Sequence, residues 1–179
     1  MIDRFQEVFV GLPNDGWLTE EEARLVWCWL GETSGDILEV GCYFGRSTCL
    51  LAQFDPRRLV VSVDPFDGFN PDLTGDEVEA FWWANIDNRG IKNALLFRMK
   101  IEDWVPGGIE LAYLDGDHTY EALQWELANL GIHVREGGKV LCHDIYHSEF
   151  GEGITKAIRE WTKLHELCWT AYPHQHGLA

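Results

Sequence analysis

Positive charge is scarce in this chain. Its 179 residues carry 14 Lys and Arg against 30 Asp and Glu, a formal net charge of −16. Proteins that grip phosphate backbones present basic patches, so the deficit counts against a nucleic-acid partner. Long apolar runs are also missing: no stretch approaches the ~20 residues of a membrane span, and no membrane partner is expected. The opening Met-Ile-Asp-Arg-Phe-Gln-Glu lacks the basic and apolar regions of a secretory leader. Cysteine is sparse and unpatterned. Cys28, Cys42, Cys49, Cys142 and Cys168 are odd in number with no Cys-x-x-Cys pair. They read as free thiols in a reducing, cytoplasmic setting. Two nucleotide signatures are absent as well. A dinucleotide fingerprint needs glycine at its first, third and sixth positions, and counting from Gly41 these hold Gly41, Tyr43 and Arg46. No Gly-Lys-Ser/Thr of a phosphate-binding P-loop occurs anywhere.

What is present is a globular composition, 46% hydrophobic, of a length that suits one domain with one core. Residues 1–35 form a helical segment ahead of the first strand, and Thr19-Glu20-Glu21-Glu22 reads as a capping box opening a helix that runs to about Leu30. Strands are expected at 36–40, 59–63, 94–98, 110–114 and 139–142. Helices are expected from the glycine loop to Phe54, from a cap at Asp76 through Asn88, over 119–130 and over 154–164, followed by a strand over 167–172. Alternating strands and helices imply an α/β fold, a doubly wound, mostly parallel sheet covered on both faces. Ligands of such sheets bind at the carboxyl ends of the strands. Glu39, Asp64, Glu102, Asp115 and Asp144 all end or follow strands, so they should converge on one rim.

The most informative stretch is Ile37-Leu38-Glu39-Val40-Gly41-Cys42-Tyr43-Phe44-Gly45, a strand and glycine loop that opens into a helix at Arg46-Ser47-Thr48. Asp64 ends the next strand, 19 residues past Gly45. An acid there is placed to accept hydrogen bonds from ribose hydroxyls. Glu-x-Gly-x-x-x-Gly with a second-strand Asp resembles the first motif of Rossmann-like S-adenosylmethionine (SAM) dependent methyltransferases, with Tyr43 replacing that family's usual central glycine. Further on, Leu114-Asp115-Gly116-Asp117-His118-Thr119-Tyr120 and Gly137-Gly138-Lys139-Val140-Leu141-Cys142-His143-Asp144 are similar to the macrocin and macrolide-sugar O-methyltransferases, as is the opening Gly16-Trp17-Leu18-Thr19. The likeness extends over almost the whole chain.

That resemblance implies strand order 3-2-1-4-5-7-6 with an antiparallel last hairpin. The strand over 167–172 would be the sixth, and the seventh would start near Gly177-Leu178-Ala179, truncated. A truncated last strand leaves a sheet edge that needs cover, and a second copy in a homodimer is one way to supply it. Residue by residue, the resemblance implies that Gly41 and Gly45 admit the methionine half of SAM, and that Glu39 fixes the loop or receives the amino group. Tyr43 and Ser47 would line the carboxylate side near a helix N-terminus, Asp64 would hold the ribose, Ile101 and Glu102 would border the adenine, and Asp115 would sit beside the methionyl group. Relatives with a divalent cation hold it with acids that correspond here to Asp115, His143 and Asp144. Carboxylates suit Mg²⁺, whereas an imidazole suits softer metals. His118 is placed as the general base that takes a hydroxyl proton, and Asp117 either orients it or caps the following helix. The activity implied is methyl transfer to a small-molecule acceptor, at a hydroxyl. Two other readings stay open: a SAM-binding protein without catalysis, and a nicotinamide-dependent oxidoreductase, against which the failed glycine pattern counts.

Overall fold

The protein is described by a computed structural model, which covers residues 3–67, 70–101, 108–130, 133–172 and 177–179. Five strands, β1 (Asp36–Val40), β2 (Val60–Val63), β3 (Ala94–Phe97), β4 (Ile109–Leu114) and β5 (Val134–Cys142), form one sheet in the order β3-β2-β1-β4-β5. Every pairing is parallel. The strands are apolar on both faces, as a sheet buried on both sides requires. Ile37, Leu111 and Tyr113 face one core, and Leu38, Ala112 and Leu114 face the other. The first core is covered by α1 (Arg4–Val10), α2 (Glu20–Gly31), α3 (Arg46–Phe54) and α4 (Gly75–Asn88), and the second by α5 (Tyr120–Leu130) and α6 (Gly151–Leu164). The α/β reading is therefore correct. Among the described residues no helix is long and apolar enough to cross a membrane.

Several boundaries differ from the sequence reading. The helical segment expected over residues 1–35 holds a second, short helix, α1, for which the sequence reading set no bounds. Asp3 caps it, and Phe5 anchors it edge-on to Trp27 of α2. The cap of α4 is Thr74 and not Asp76: its hydroxyl accepts from Glu77 N and Glu77 returns the bond, a second capping box. β5 starts at Val134, five residues early. It advances from Val134 to Lys139 while β4 advances only from Ile109 to Leu111, so Gly137 and Gly138 lie in a bulge inside the strand instead of ahead of it. The expected strand over 167–172 does not form. Tyr172 makes an isolated antiparallel bridge to Leu178, which also bridges His143. That single residue lies between β5 and Tyr172, where the seventh strand of the expected order belongs. Cys42, Cys49 and Cys142 are buried thiols, while Cys28 and Cys168 are exposed.

Candidate active site

The strand ends of β1, β2 and β4 meet at the loop Gly41–Gly45. Gly41, Tyr43 and Gly45 all take positive φ, 79°, 45° and 83°. A Cβ on Gly41 would lie 2.1 Å from the carbonyl oxygen of Asp115, and one on Gly45 would lie 3.0 Å from the ring of Trp82. Both glycines are thus demanded by the protein's own packing, before any ligand is considered. Tyr43 is a left-handed residue where glycine would be unstrained. Its ring stacks on Phe44 at 3.9 Å and meets Trp17 at 5.4 Å, and its hydroxyl accepts from Asn70 at 2.8 Å.

Asp64 holds this loop. Its Oδ2 accepts from the backbone N–H of Cys42 and Tyr43 at 2.8 and 2.9 Å, and its Oδ1 accepts from Phe66 N–H at 2.8 Å. Oδ1 keeps one acceptor position for a ligand hydroxyl. Glu39 lies behind the loop, wholly buried. Its Oε2 accepts from Thr48 and Ser62 hydroxyls at 2.6 and 2.5 Å, and Trp82 Nε1 donates to Thr48 at 3.1 Å. Burial, partly offset by hydroxyl donors, raises the Glu39 pKa from 4.5 to about 7. Through these bonds the residue ties β1 to α3 and β2. Trp82 is core, as its apolar surroundings suggest, while its neighbour Trp83 turns outward to Glu79.

The far rim is built from β4, β5 and the loops after them. The side chains of Asp115, His118, His143 and Asp144 form one cluster. His143 is buried, with Nδ1 3.2 Å from Asp115 Oδ1 and 3.3 Å from Asp144 Oδ2, and with Nε2 3.5 Å from Glu22 Oε2. His118 approaches the same two oxygens from the other side, its Nε2 3.5 Å from Asp115 Oδ1 and its Nδ1 3.1 Å from Asp144 Oδ2. Burial works against charge on every member, but the mutual contacts outweigh it. Asp115 is held well below the usual carboxylate range by His143 and His118, and both imidazoles are shifted upward by the acids. Asp117 accepts from Thr119 N–H at 2.9 Å in the turn before α5, and the Thr119 hydroxyl caps that helix by accepting from Ala122 N–H at 3.2 Å. His147 stacks on Phe150, which meets His118 edge-on.

Ligand atoms of Asp115, His118 and Asp144 lie within 4.8 Å of one another, a spacing that admits a cation. Of the expected triple Asp115, His143 and Asp144, His143 is buried and also faces Glu22. Glu102 and the tail His174-Gln175-His176 lie outside the described residues.

Above the loop and the cluster is a cavity of about 760 Å³, within the range of small-molecule sites. Gly41, Tyr43, Ser47, Asp64, Ile101 and Asp115 all line it. Its acids outnumber its bases: Asp15, Asp67, Asp117 and Glu126 join Asp64, Asp115 and Asp144, against Arg46, Lys100 and the imidazoles of His118, His143 and His147. Arg46 is already spent on the carbonyls of Pro13 and Leu18, which pins the 12–18 segment and sets Trp17 over Tyr43. Trp17, Asn70 and Glu22 were missed as site residues. Glu22 was readable: it falls four and eight residues before Val26 and Leu30 on the buried stripe of α2.

A sequence profile for a methyltransferase domain matches residues 38–145, more than half of the chain and the span from Glu39 to Asp144. The chain belongs to this methyltransferase family. No curated protein sequence matches it. Solved structures share the fold of the methyltransferase at low identity. The O-methyltransferase NovP superposes with a TM-score of 0.71 at 17% identity, over 91% of this chain and 81% of its own. An O-methyltransferase from Bacillus cereus in complex with SAH gives 0.69 at 16%, over 98% and 88%. The apo TDP-rhamnose 3′-O-methyltransferase CalS11 of calicheamicin biosynthesis gives 0.61 at 17%, over 98% and 90%. The methyltransferase is thus an enzyme of the SAM-dependent, Rossmann-like class, and its site fits that cofactor. The glycine loop opens on the cavity at the N-terminus of α3, and an acid-rich wall suits a ligand that carries a sulfonium and an ammonium.

Proposed function

We propose that this methyltransferase transfers a methyl group to a hydroxyl of a small-molecule acceptor, with His118 removing the proton. The observation that supports it is the placement of His118: at the cavity wall, its ring between Asp115 and Asp144 and steadied by Phe150. Bound SAM would supply an electrophilic methyl group on a cationic sulfur. The N-terminus of α3, beside Tyr43 and Ser47, would receive the carboxylate end. Asp64 would take a ribose hydroxyl on its remaining Oδ1 position, Ile101 would border the adenine, and Asp115 would face the ammonium. His118 would accept the acceptor's proton on Nε2, the nitrogen farther from its carboxylate at 3.5 Å, and Asp144 at Nδ1 together with Asp115 would stabilise the imidazolium that results. The chain's main contribution is alignment of acceptor oxygen and methyl group in a site shielded by Trp17, Tyr43 and Phe150. An acceptor with phosphate groups meets mostly carboxylates in this cavity, which favours neutral acceptors and disfavours nucleic acid.

The spacing of Asp115, His118 and Asp144 favours a second reading, in which these three hold a divalent cation that activates the acceptor oxygen and His118 serves as ligand instead of base.

SAM titrated calorimetrically into the intact protein, with and without Mn²⁺ or Mg²⁺, tests both. Micromolar SAM binding supports the assignment, and its absence sinks it. Labelled methyl transfer to a panel of phenols, sugars and amines then decides the atom. Transfer that requires the metal favours the second reading, and transfer to amines alone overturns the hydroxyl reading.

A further inference from the structure

Two helices of this chain open with the same device, the capping boxes Thr19–Glu22 and Thr74–Glu77. Glu77 does what such a box needs and stays exposed. Glu22 makes the same bonds to Thr19, at 3.0 and 2.7 Å, but is wholly buried. Its carboxylate reaches further, accepting from Gly177 N–H at 3.2 Å and lying 3.5 Å from His143 Nε2. Burying a carboxylate costs far more than a helix cap returns, so capping alone does not explain this placement.

We infer that Glu22 is a positioning residue of the active site: through His143 it sets the carboxylates of Asp115 and Asp144, and through them the imidazole of His118. Each link is a contact. Glu22 Oε2 meets His143 Nε2. His143 Nδ1 meets Asp115 Oδ1 and Asp144 Oδ2. Those same two oxygens meet the two ring nitrogens of His118. The contacts of His143 are charge contacts at 3.2–3.5 Å, and an anion at Nε2 favours the ring placement that sets Nδ1 beside the two acids. The carboxylate comes from α2, ahead of the first strand. Burial opposes the charge on Glu22, but His143 and Thr19 outweigh it and hold its pKa at about 2, so it stands as a full anion behind the site.

The consequence for catalysis rests on the role proposed above for His118, whereas the coupling itself does not. The test compares Glu22→Gln with Glu77→Gln. Glutamine serves in a capping box as glutamate does, so both variants keep their caps. The readouts are the ring-nitrogen NMR signals of His118, assigned with His118→Asn, then thermal melting and SAM calorimetry. Expected are shifted His118 signals in Glu22→Gln together with SAM binding weakened by about 10-fold or more, the loss typical of a broken outer-shell contact, and no change in Glu77→Gln. Unmoved His118 signals in a folded Glu22→Gln overturn the inference and leave Glu22 a buried cap. Where that variant does not fold, Glu22→Asp, which keeps the charge but withdraws it by one methylene, is judged by the same signals. Failure of the wild-type protein to bind SAM would overturn the functional proposal, while the His118 signals would still decide the coupling.

Discussion

Gly41→Ala separates what the glycine loop owes to its ligand from what it owes to the protein. The added methyl would lie 2.1 Å from the carbonyl oxygen of Asp115, 2.6 Å from its carbonyl carbon and 2.8 Å from Gly116 Cα, all backbone atoms at the end of β4. A left-handed φ costs an L-residue about 1–2 kcal/mol. Forcing a methyl into a packed site adds about 1–3 kcal/mol, and the stiffer unfolded chain offsets about 0.4–1 kcal/mol. No side chain can swing aside, so the upper part of that range applies, about 3 kcal/mol net. For a chain of this length that lowers Tm by roughly 6–12 °C. Gly137→Ala is the matched control. Its φ is 83°, but nothing lies within 4 Å of the added Cβ, so only the backbone cost remains, about 1 kcal/mol and roughly 2–4 °C. Calorimetric melting of both variants without ligand is the assay. A Gly41→Ala protein that melts no lower than Gly137→Ala would refute the claim that β4 itself requires this glycine.

Asp64→Ala removes the acceptor of three backbone N–H groups and should cost about 3 kcal/mol or more in melting experiments, so its loss of SAM binding would include a collapsed loop. Asp64→Asn should fall between wild type and alanine, which paired melting and calorimetry would reveal. Glu39 supplies a pH dependence. Its carboxyl titrates at about 7 in the fold against 4.5 ordinarily, so between these values the folded state keeps a proton that the unfolded chain has released. Stability therefore falls as pH rises through that window, by about 3 kcal/mol in all. Glu39→Gln should flatten that segment of the stability-pH profile from urea denaturation, and an unchanged slope would contradict the assignment. His118→Gln should retain SAM binding but lower methyl transfer by about 100-fold or more if it is the base, measured with whichever acceptor the labelled panel identifies.

The sheet was legible because its signals are local and agree: apolar runs, glycine punctuation, and acids at successive strand ends. Of the five acids expected on one rim, Asp64, Asp115 and Asp144 line the cavity, Glu39 is buried behind the loop, and Glu102 lies outside the described residues. Other features depend on partners distant in sequence. The Thr74 cap of α4 is not among them: its box with Glu77 has the same local spacing as Thr19 and Glu22 and was readable. The bulge at Gly137 and Gly138 is set by pairing with β4, so two glycines that read as a turn lie within a strand. The role of Asp64 as loop holder needs the approach of Cys42 and Tyr43 amides from another strand. The contact between Glu22 and His143 joins residues 121 apart in sequence, and no local pattern announces it.

Glu22 and Gly177 meet across 155 residues of chain. Closing a loop of that length carries an entropic cost of about 4.5 kcal/mol before its constant part, against about 2 kcal/mol for a ten-residue turn. The pairing of β1 with β2 closes far shorter loops and should be established earlier in folding. The buried contacts behind His118 therefore belong to the last stage of assembly, and in the native protein they should open ahead of the central strands. Amide exchange at Gly177 and Leu178 should be correspondingly faster than at Ile37 to Val40, so catalytic alignment would fail under mild denaturant while the sheet still stands.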